Sequence, residues 1–174
     1  MHAVIAMTSL VIRAATVKDV LSIVRIRLGA LTEEEIRGFS APEFWIFSST
    51  EELRKVWSRE NKLKDGFEVF VAEDEGKMVG FIVFKMERDY GCIDNIVVAK
   101  KEQGKGLGRA LVEYVEDIAK SKGCYLMKTD TTENSAGVRW KSYSFWIRMG
   151  YEDTGERLPT NYDFKEIPLI KRLK

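Results

Sequence analysis

The densest chemical signal in the 174-residue chain is the run Gln103-Gly104-Lys105-Gly106-Leu107-Gly108, set just before an amphipathic stretch. The first turn of a helix carries unpaired N–H groups and a partial positive charge, and glycines let an anion come close to the backbone. The chemistry offered is phosphate binding. A P-loop would need Ser or Thr after Gly104-Lys105 to hold magnesium, and Gly106 stands there instead. A dinucleotide fingerprint would follow its strand tightly with GxGxxG. Here the spacing is Gly-x-Gly-x-Gly, and the polar linker Ala99 to Glu102 intervenes. A nucleotide-binding protein using the same turn stays as a competing reading. The one histidine, His2, removes histidine triads, histidine metal sites and a histidine base. Cys92 and Cys124 give neither a disulfide framework nor zinc spacing, so no metal is expected.

Elements must position this turn. Leu10-Val11-Ile12 reads as a strand, and Thr16 as the cap of a helix with apolar positions Val20, Leu21, Val24, Ile26 and Leu28. Ser49-Thr50-Glu51-Glu52 fits a capping box for a helix running to about Leu63. Three strands follow: Phe67 to Ala72, Met78 to Met86 after the tight turn Asp74-Glu75-Gly76-Lys77, and Cys92 to Val98. The last ends Ile96-Val97-Val98, as a strand buried on both faces would. The clearest helix places Leu107, Ala110, Leu111, Tyr114, Val115, Ile118 and Ala119 on one face and stops near Lys122-Gly123. A strand from Cys124 to Thr131, a loop over residues 132–137, a helix from Val138 to Met149 and closing strands near Tyr151 and from Asp163 to Leu169 complete the order β-α-α-β-β-β-α-β-α-β-β. That order predicts a mixed sheet with helices on both faces. Residues 1–9 read as a disordered terminus, with Met7 an alternative start, and residues 10–174 as a single domain.

Composition narrows the classes. Apolar residues make up 45% and charged residues 32%, as in a globular protein, and the net charge is +1. Broad electrostatic binding to nucleic acid is not expected at that charge. The longest apolar stretch near the start, Ala3 to Met7, is too short for a signal peptide or a membrane span, so no membrane partner and a cytoplasmic location are expected.

The pattern Gln-x-x-Gly-x-Gly is met by Gln103, Gly106 and Gly108, five residues after Val98 and directly before the amphipathic helix. Downstream stands Phe145-Trp146-Ile147-Arg148-Met149-Gly150-Tyr151. On these residues, and on the element order from Leu10 to Leu173, the chain resembles the GNAT superfamily of acetyl-CoA-dependent N-acyltransferases. The resemblance implies an α/β (α+β) fold with a mixed, centrally splayed β-sheet flanked by helices on both faces. It implies acetyl-CoA as cosubstrate and direct transfer of acetyl to a primary amine, on a small molecule or a protein, in a ternary complex. A homodimer is compatible with it. Backbone amides of Gln103, Gly104, Lys105, Gly106, Leu107, Gly108 and Arg109 would hold the pyrophosphate, with Lys100, Lys101, Lys105 and Arg109 near the adenosine phosphates or simply a solvated rim. Backbone groups of Ile96 and Val98 would pair with the pantetheine arm, and the N–H of Ile96 or Val97 would polarise the thioester carbonyl.

The same resemblance puts Trp146 where many members carry a tyrosine acid for the leaving thiol. Indole N–H cannot serve as that acid, and core packing is its plainer role. Tyr143, one turn earlier, is the substitute acid, with solvent protonation and a non-catalytic acyl-CoA-binding module as alternatives. Arg139 or Asn134 falls at the family's cofactor-contacting asparagine and Ser142 at its usual alanine, so the register over residues 132–142 stays open. Asp94, on the strand beside the expected thioester, is the base candidate, followed by Asp130 and Glu133, each with a capping or turn role as the plain alternative. The acceptor side would be built by Glu33, Glu34 and Glu35 with Phe39, Phe44, Trp45 and Phe47, or these form a solvated face over an aromatic core.

Overall fold

A computed structural model of the chain describes residues 9–32 and 46–174. His2, Met7, Glu33, Glu34, Glu35, Phe39, Phe44 and Trp45 lie outside the described residues. Strand β1 (Val11–Ala14) ends at Thr16, whose N–H donates to the Asp19 carboxylate at 2.7 Å around a 3₁₀ turn, and helix α1 (Val20–Ala30) follows. Arg13 grips Asp19 through two 2.9 Å bonds and holds its carboxyl below the usual carboxylate range. The buried face of α1 runs Val20, Ile23, Val24 and Arg27, the i, i+3, i+4, i+7 spacing, while Leu21 and Leu28 of the expected stripe are exposed.

Helix α2 (Thr50–Val56) starts where predicted, with Ser49 Oγ accepting from Glu52 N–H at 3.3 Å, but it stops at Val56 instead of Leu63. A hairpin of β2 (Trp57–Arg59) and β3 (Lys62–Leu63) takes its place. The Trp57 indole N–H closes that turn on the Glu60 carbonyl at 2.8 Å, and Glu60 adopts φ 49°. Then come β4 (Glu68–Asp74), β5 (Lys77–Met86), β6 (Tyr90–Val98), α3 (Leu107–Ser121), β7 (Leu126–Asn134), α4 (Lys141–Arg148), β8 (Glu152–Asp153), β9 (Leu158–Pro159) and β10 (Phe164–Arg172). The predicted helix from Val138 begins only at Lys141, because Asn134 Oδ1 accepts from the N–H groups of Ala136 and Val138 and holds 134–138 as a turn.

The sheet order is β2-β3-β4-β5-β6-β7-β10-β8, with β1 beside β4 and β9 beside β10. Among the described residues every pairing is antiparallel except β6 with β7. Period-two alternation separates two cores. Phe70, Ala72, Ile82 and Phe84 pack with Leu111, Val115, Trp146 and Met149 of α3 and α4 and the segment after it. Val69, Val71, Phe81 and Val83 pack with Ile23, Val24 and Leu53 of α1 and α2 on the opposite face. Helices thus cover both faces. Inside the first core, Lys171 Nζ meets both Glu116 oxygens at 2.8 and 2.9 Å, and Tyr151 donates its hydroxyl to the same carboxylate at 3.1 Å.

Candidate active site

The sheet opens where its one parallel pair should continue. β6 and β7 pair only at Tyr90–Leu126, Gly91–Met127 and Cys92–Lys128, then part. Thr129 Oγ1 donates to the Ile93 carbonyl at 3.1 Å at the point of separation, satisfying a backbone acceptor that has lost its neighbour strand. Beyond it, β6 keeps only β5 as partner. The Ala99 N–H donates to Val79 O at 2.8 Å, so by antiparallel alternation the amides of Val97 and Asn95 also turn to β5. Those of Ile96 and Val98 turn the other way, into the opening. Val98 is consistent with this: its carbonyl accepts from the Gln103 side chain at 3.1 Å.

A bulge sits at the same place. Val83 pairs with Asn95 and Phe84 with Ile93, leaving Asp94 as the extra residue. The bulge reverses the phase of β6, so Ile93 joins the α3 core while Val97, also odd-numbered, joins the α1 core. Asp94 therefore points into a cavity of about 660 Å³ that passes through the strand opening. Asp130, two residues past the last paired residue of β7 as Asp94 is of β6, lines it too. Desolvation by the cavity walls and then the Asp65 charge raise the Asp94 carboxyl, which like that of Asp130 still meets solvent through the cavity mouth. Enclosure, followed by Glu166 and Asp94, pushes Asp130 up to about 7. Arg27 and Phe47 wall the α1 side; Ser142 and Trp146 wall the α4 side.

The glycine turn lies at the far end of β6. Gly106 caps α3 with φ 84°, no side chain caps that end, and the first turn holds no acid. A Cβ added at Gly106 would meet nothing within 4 Å, so the glycine supplies a left-handed backbone bordering open space. Gly108 serves packing instead, since a Cβ there would lie 3.1 Å from the Phe145 ring, and its absence lets α3 close on α4. Lys105 is paired with Glu102 at 2.7 Å and Arg109 with Glu113 at 3.5 Å. The turn thus offers unpaired amides, β6 an unpaired edge, and the cavity carboxylates from Asp94 and Asp130 on its two lips.

Residues 30–143 match the Acetyltransferase (GNAT) family. The chain belongs to that family. Among curated relatives, a glucosamine 6-phosphate N-acetyltransferase of Trypanosoma brucei brucei is 31% identical over 90 residues, 48% of this chain and 56% of that one. An uncharacterized N-acetyltransferase of Methanocaldococcus jannaschii is 31% identical over 106 residues, 59% of this chain and 65% of that one. This GNAT chain thus spans between about half and two thirds of the length of those relatives. The fold matches the PaiA N-acetyltransferase of Thermoplasma acidophilum, solved in complex with coenzyme A, with a TM-score of 0.71 at 18% identity over 95% of this chain and 100% of that one.

Within this GNAT frame, the predicted residues separate into two groups. Asp94, Asp130, Ile96 and Trp146 line the cavity, and Phe47 of the expected acceptor wall does as well. Trp146 is only 3% exposed and packs edge-on against Phe145 and Tyr151, so its core role and its place at the cavity coexist. Tyr143 is not among the lining residues. Its hydroxyl donates to Asp153 at 3.1 Å and Arg139 stacks on its ring, because α4 starts late and turns that position toward β8. Glu133 is bound by Arg157 at 3.1 Å, and Ser142 Oγ shares a 2.5 Å hydrogen bond with Thr131. Sequence reasoning missed Asp65, Arg27, Glu166 and Tyr162, all of which line the cavity. For Glu166 a signal existed: it alternates with Ile167 and Leu169 of the core and so had to face the other side. Among the described residues, no three metal-ligating side chains converge and no helix is long and apolar enough to cross a membrane.

Proposed function

We propose that the protein is an N-acetyltransferase that moves acetyl from acetyl-CoA directly to a primary amine held in the same cavity. The observation that carries this is the opening between β6 and β7, with the Ile96 and Val98 backbone facing into it and a carboxylate on each lip. The first-turn amides of α3 bind the pyrophosphate, with Gly104 and Gly106 giving the ligand room. The pantetheine arm lies against the Ile96–Val98 edge as an added strand. Of the two amides expected to polarise the thioester, Ile96 is favoured, since alternation turns the Val97 N–H to β5.

The acceptor must reach the thioester as a free amine. Asp130 or Asp94, in carboxylate form, takes the ammonium proton directly or through one water. The nitrogen lone pair then forms the C–N bond at the carbonyl carbon, the C–S bond breaks, the thiolate leaves with the bonding pair, and the nitrogen sheds its second proton to water. Tyr143 is held by Asp153 away from the cavity, so solvent entering the opening protonates the thiolate. Cys92 and Cys124 are free thiols, which suits a reducing cytoplasm, and residues 10–174 act as one domain.

A non-catalytic acyl-CoA-binding module is the second reading, favoured by Trp146 in the family's acid position. A thiol-release assay with acetyl-CoA and a panel of primary amines separates the two. Amine-dependent release with matching N-acetyl product supports the enzyme; tight coenzyme binding with no release from any amine sinks it.

A further inference from the structure

We infer that the acceptor is an aliphatic polyamine, a flexible chain with cationic nitrogens at two or more points, held by carboxylates spread along the cavity. The inference rests on the acetyl-transfer reading of that cavity. The site itself is defined by the strand opening; its lining chemistry names the guest.

Four carboxylates line the 660 Å³ cavity, Asp65, Asp94, Asp130 and Glu166, and among the described residues Arg27 is the one cationic lining side chain. They come from different places. Asp65 sits in the turn before β4, Asp94 on the β6 bulge, and Asp130 on the opposite lip. On β7 and β10 the registers Asp130–Pro168 and Thr132–Glu166 make Asp130 and Glu166 diagonal neighbours on one face. Such diagonal pairs stand roughly 7–8 Å apart. The acids share a cavity, yet no three metal-ligating groups among the described residues converge to hold one ion. Charges dispersed in this way do not suit a divalent cation; they suit a guest whose own charges are spaced along a chain. Lys85 lies near Asp65 but pairs with Glu87 at 3.0 Å.

The walls agree. Phe47, Phe67, Trp140, Trp146 and Phe164 give apolar and π surface between the acids, which methylene segments and ammonium groups both favour. The carboxylates also repel one another: Asp65 contributes to raising Asp94, and Glu166 and Asp94 to raising Asp130. A polycation relieves that repulsion, whereas a phosphorylated amino sugar brings its own negative charge into it. The acceptor named for the trypanosomal relative is therefore the wrong chemistry for this lining.

The test is calorimetric titration of the full chain saturated with coenzyme A, using diaminobutane, spermidine, butylamine, glucosamine 6-phosphate and a lysine-bearing peptide. Diaminobutane and spermidine should bind at least about tenfold tighter than butylamine, with the margin narrowing as ionic strength rises. Glu166→Gln and, separately, Asp65→Asn should cut the margin of the polyamines over butylamine to about threefold or less. Equal affinity for monoamine and polyamine, or tighter binding of the sugar phosphate or the peptide, overturns the inference. Acetyl transfer measured alongside keeps the two claims apart. Transfer to butylamine with no polyamine preference overturns the acceptor class alone, while tight polyamine binding without transfer to any amine overturns the enzyme reading.

Discussion

Asp94 and Asp130 occupy matching positions on two strands that have just parted, and that position sets their acidity. Asp130, pushed up to about 7, is half protonated near neutrality, so as a base it works better as pH rises. The rate kcat/KM for an amine acceptor should fall as pH drops below about 7, and Asp130→Asn should lose that limb together with about a hundredfold in rate, read from a pH–rate profile. Stability carries the opposite sign. Between its unfolded value near 3.9 and about 7 the folded protein holds a proton that the unfolded chain has lost. The stabilisation is complete below the lower value and lost as pH rises through the upper one. Asparagine does not ionise, so thermal melts should show Asp130→Asn gaining on the parent protein from about pH 4 to about pH 8. The sequence puts Asp94 ahead of Asp130 without showing what turns either into the cavity. Ile93-Asp94-Asn95-Ile96 gives no sign of a bulge, because a bulge is defined by the partner strand: only the pairing of Val83 with Asn95 and Phe84 with Ile93 makes Asp94 the extra residue.

Elements were most legible where a local rule and the tertiary fold agree. The glycine turn and α3 are such a case: the apolar stripe, the glycine cap and the C-terminal Gly123 are all local. Gly106→Val places a β-branched residue at φ 84°, which should cost about 1–2 kcal/mol in a melt and raise KM for acetyl-CoA severalfold. Where α2 went astray, a long-range partner won. The α2 stripe could have run on to Leu63, but Trp57 and Leu63 pair across a hairpin and Leu63 joins the α1 core. The late start of α4 has a local cause instead, since Asn134 spends its side chain on a turn, while Tyr143 bonds Asp153 ten residues on. Tyr143→Phe should lower stability by about 1 kcal/mol, seen in denaturant melts, and leave the pH–rate profile unmoved. A shift of its alkaline limb would return Tyr143 to the reaction.

Across the whole molecule, two cores share one sheet, and the ion pair between α3 and β10 ties the later half together. Glu116 is 4% exposed and hydrogen-bonded by Lys171 and Tyr151. Lys171→Met leaves that carboxylate buried against a single hydroxyl and should cost on the order of 3 kcal/mol, while adding Glu116→Gln should restore part of it, measured by denaturant melts. The parted strands have a mechanical meaning as well. Among the described residues, three residue pairs, one threonine hydroxyl and the Lys128 ammonium over the Tyr90 ring stitch β6 to β7, so the halves of the sheet meet at a seam fastened at one end. An extended ligand lying in that seam is a removable strand, and the stiffness of the sheet becomes a property of the complex. Amides of Ile96 and Val98, the seam's free edge, should exchange hydrogen readily in the free protein and slow when the coenzyme is seated. With the coenzyme seated first, an acceptor would meet a cavity whose walls that first substrate has braced.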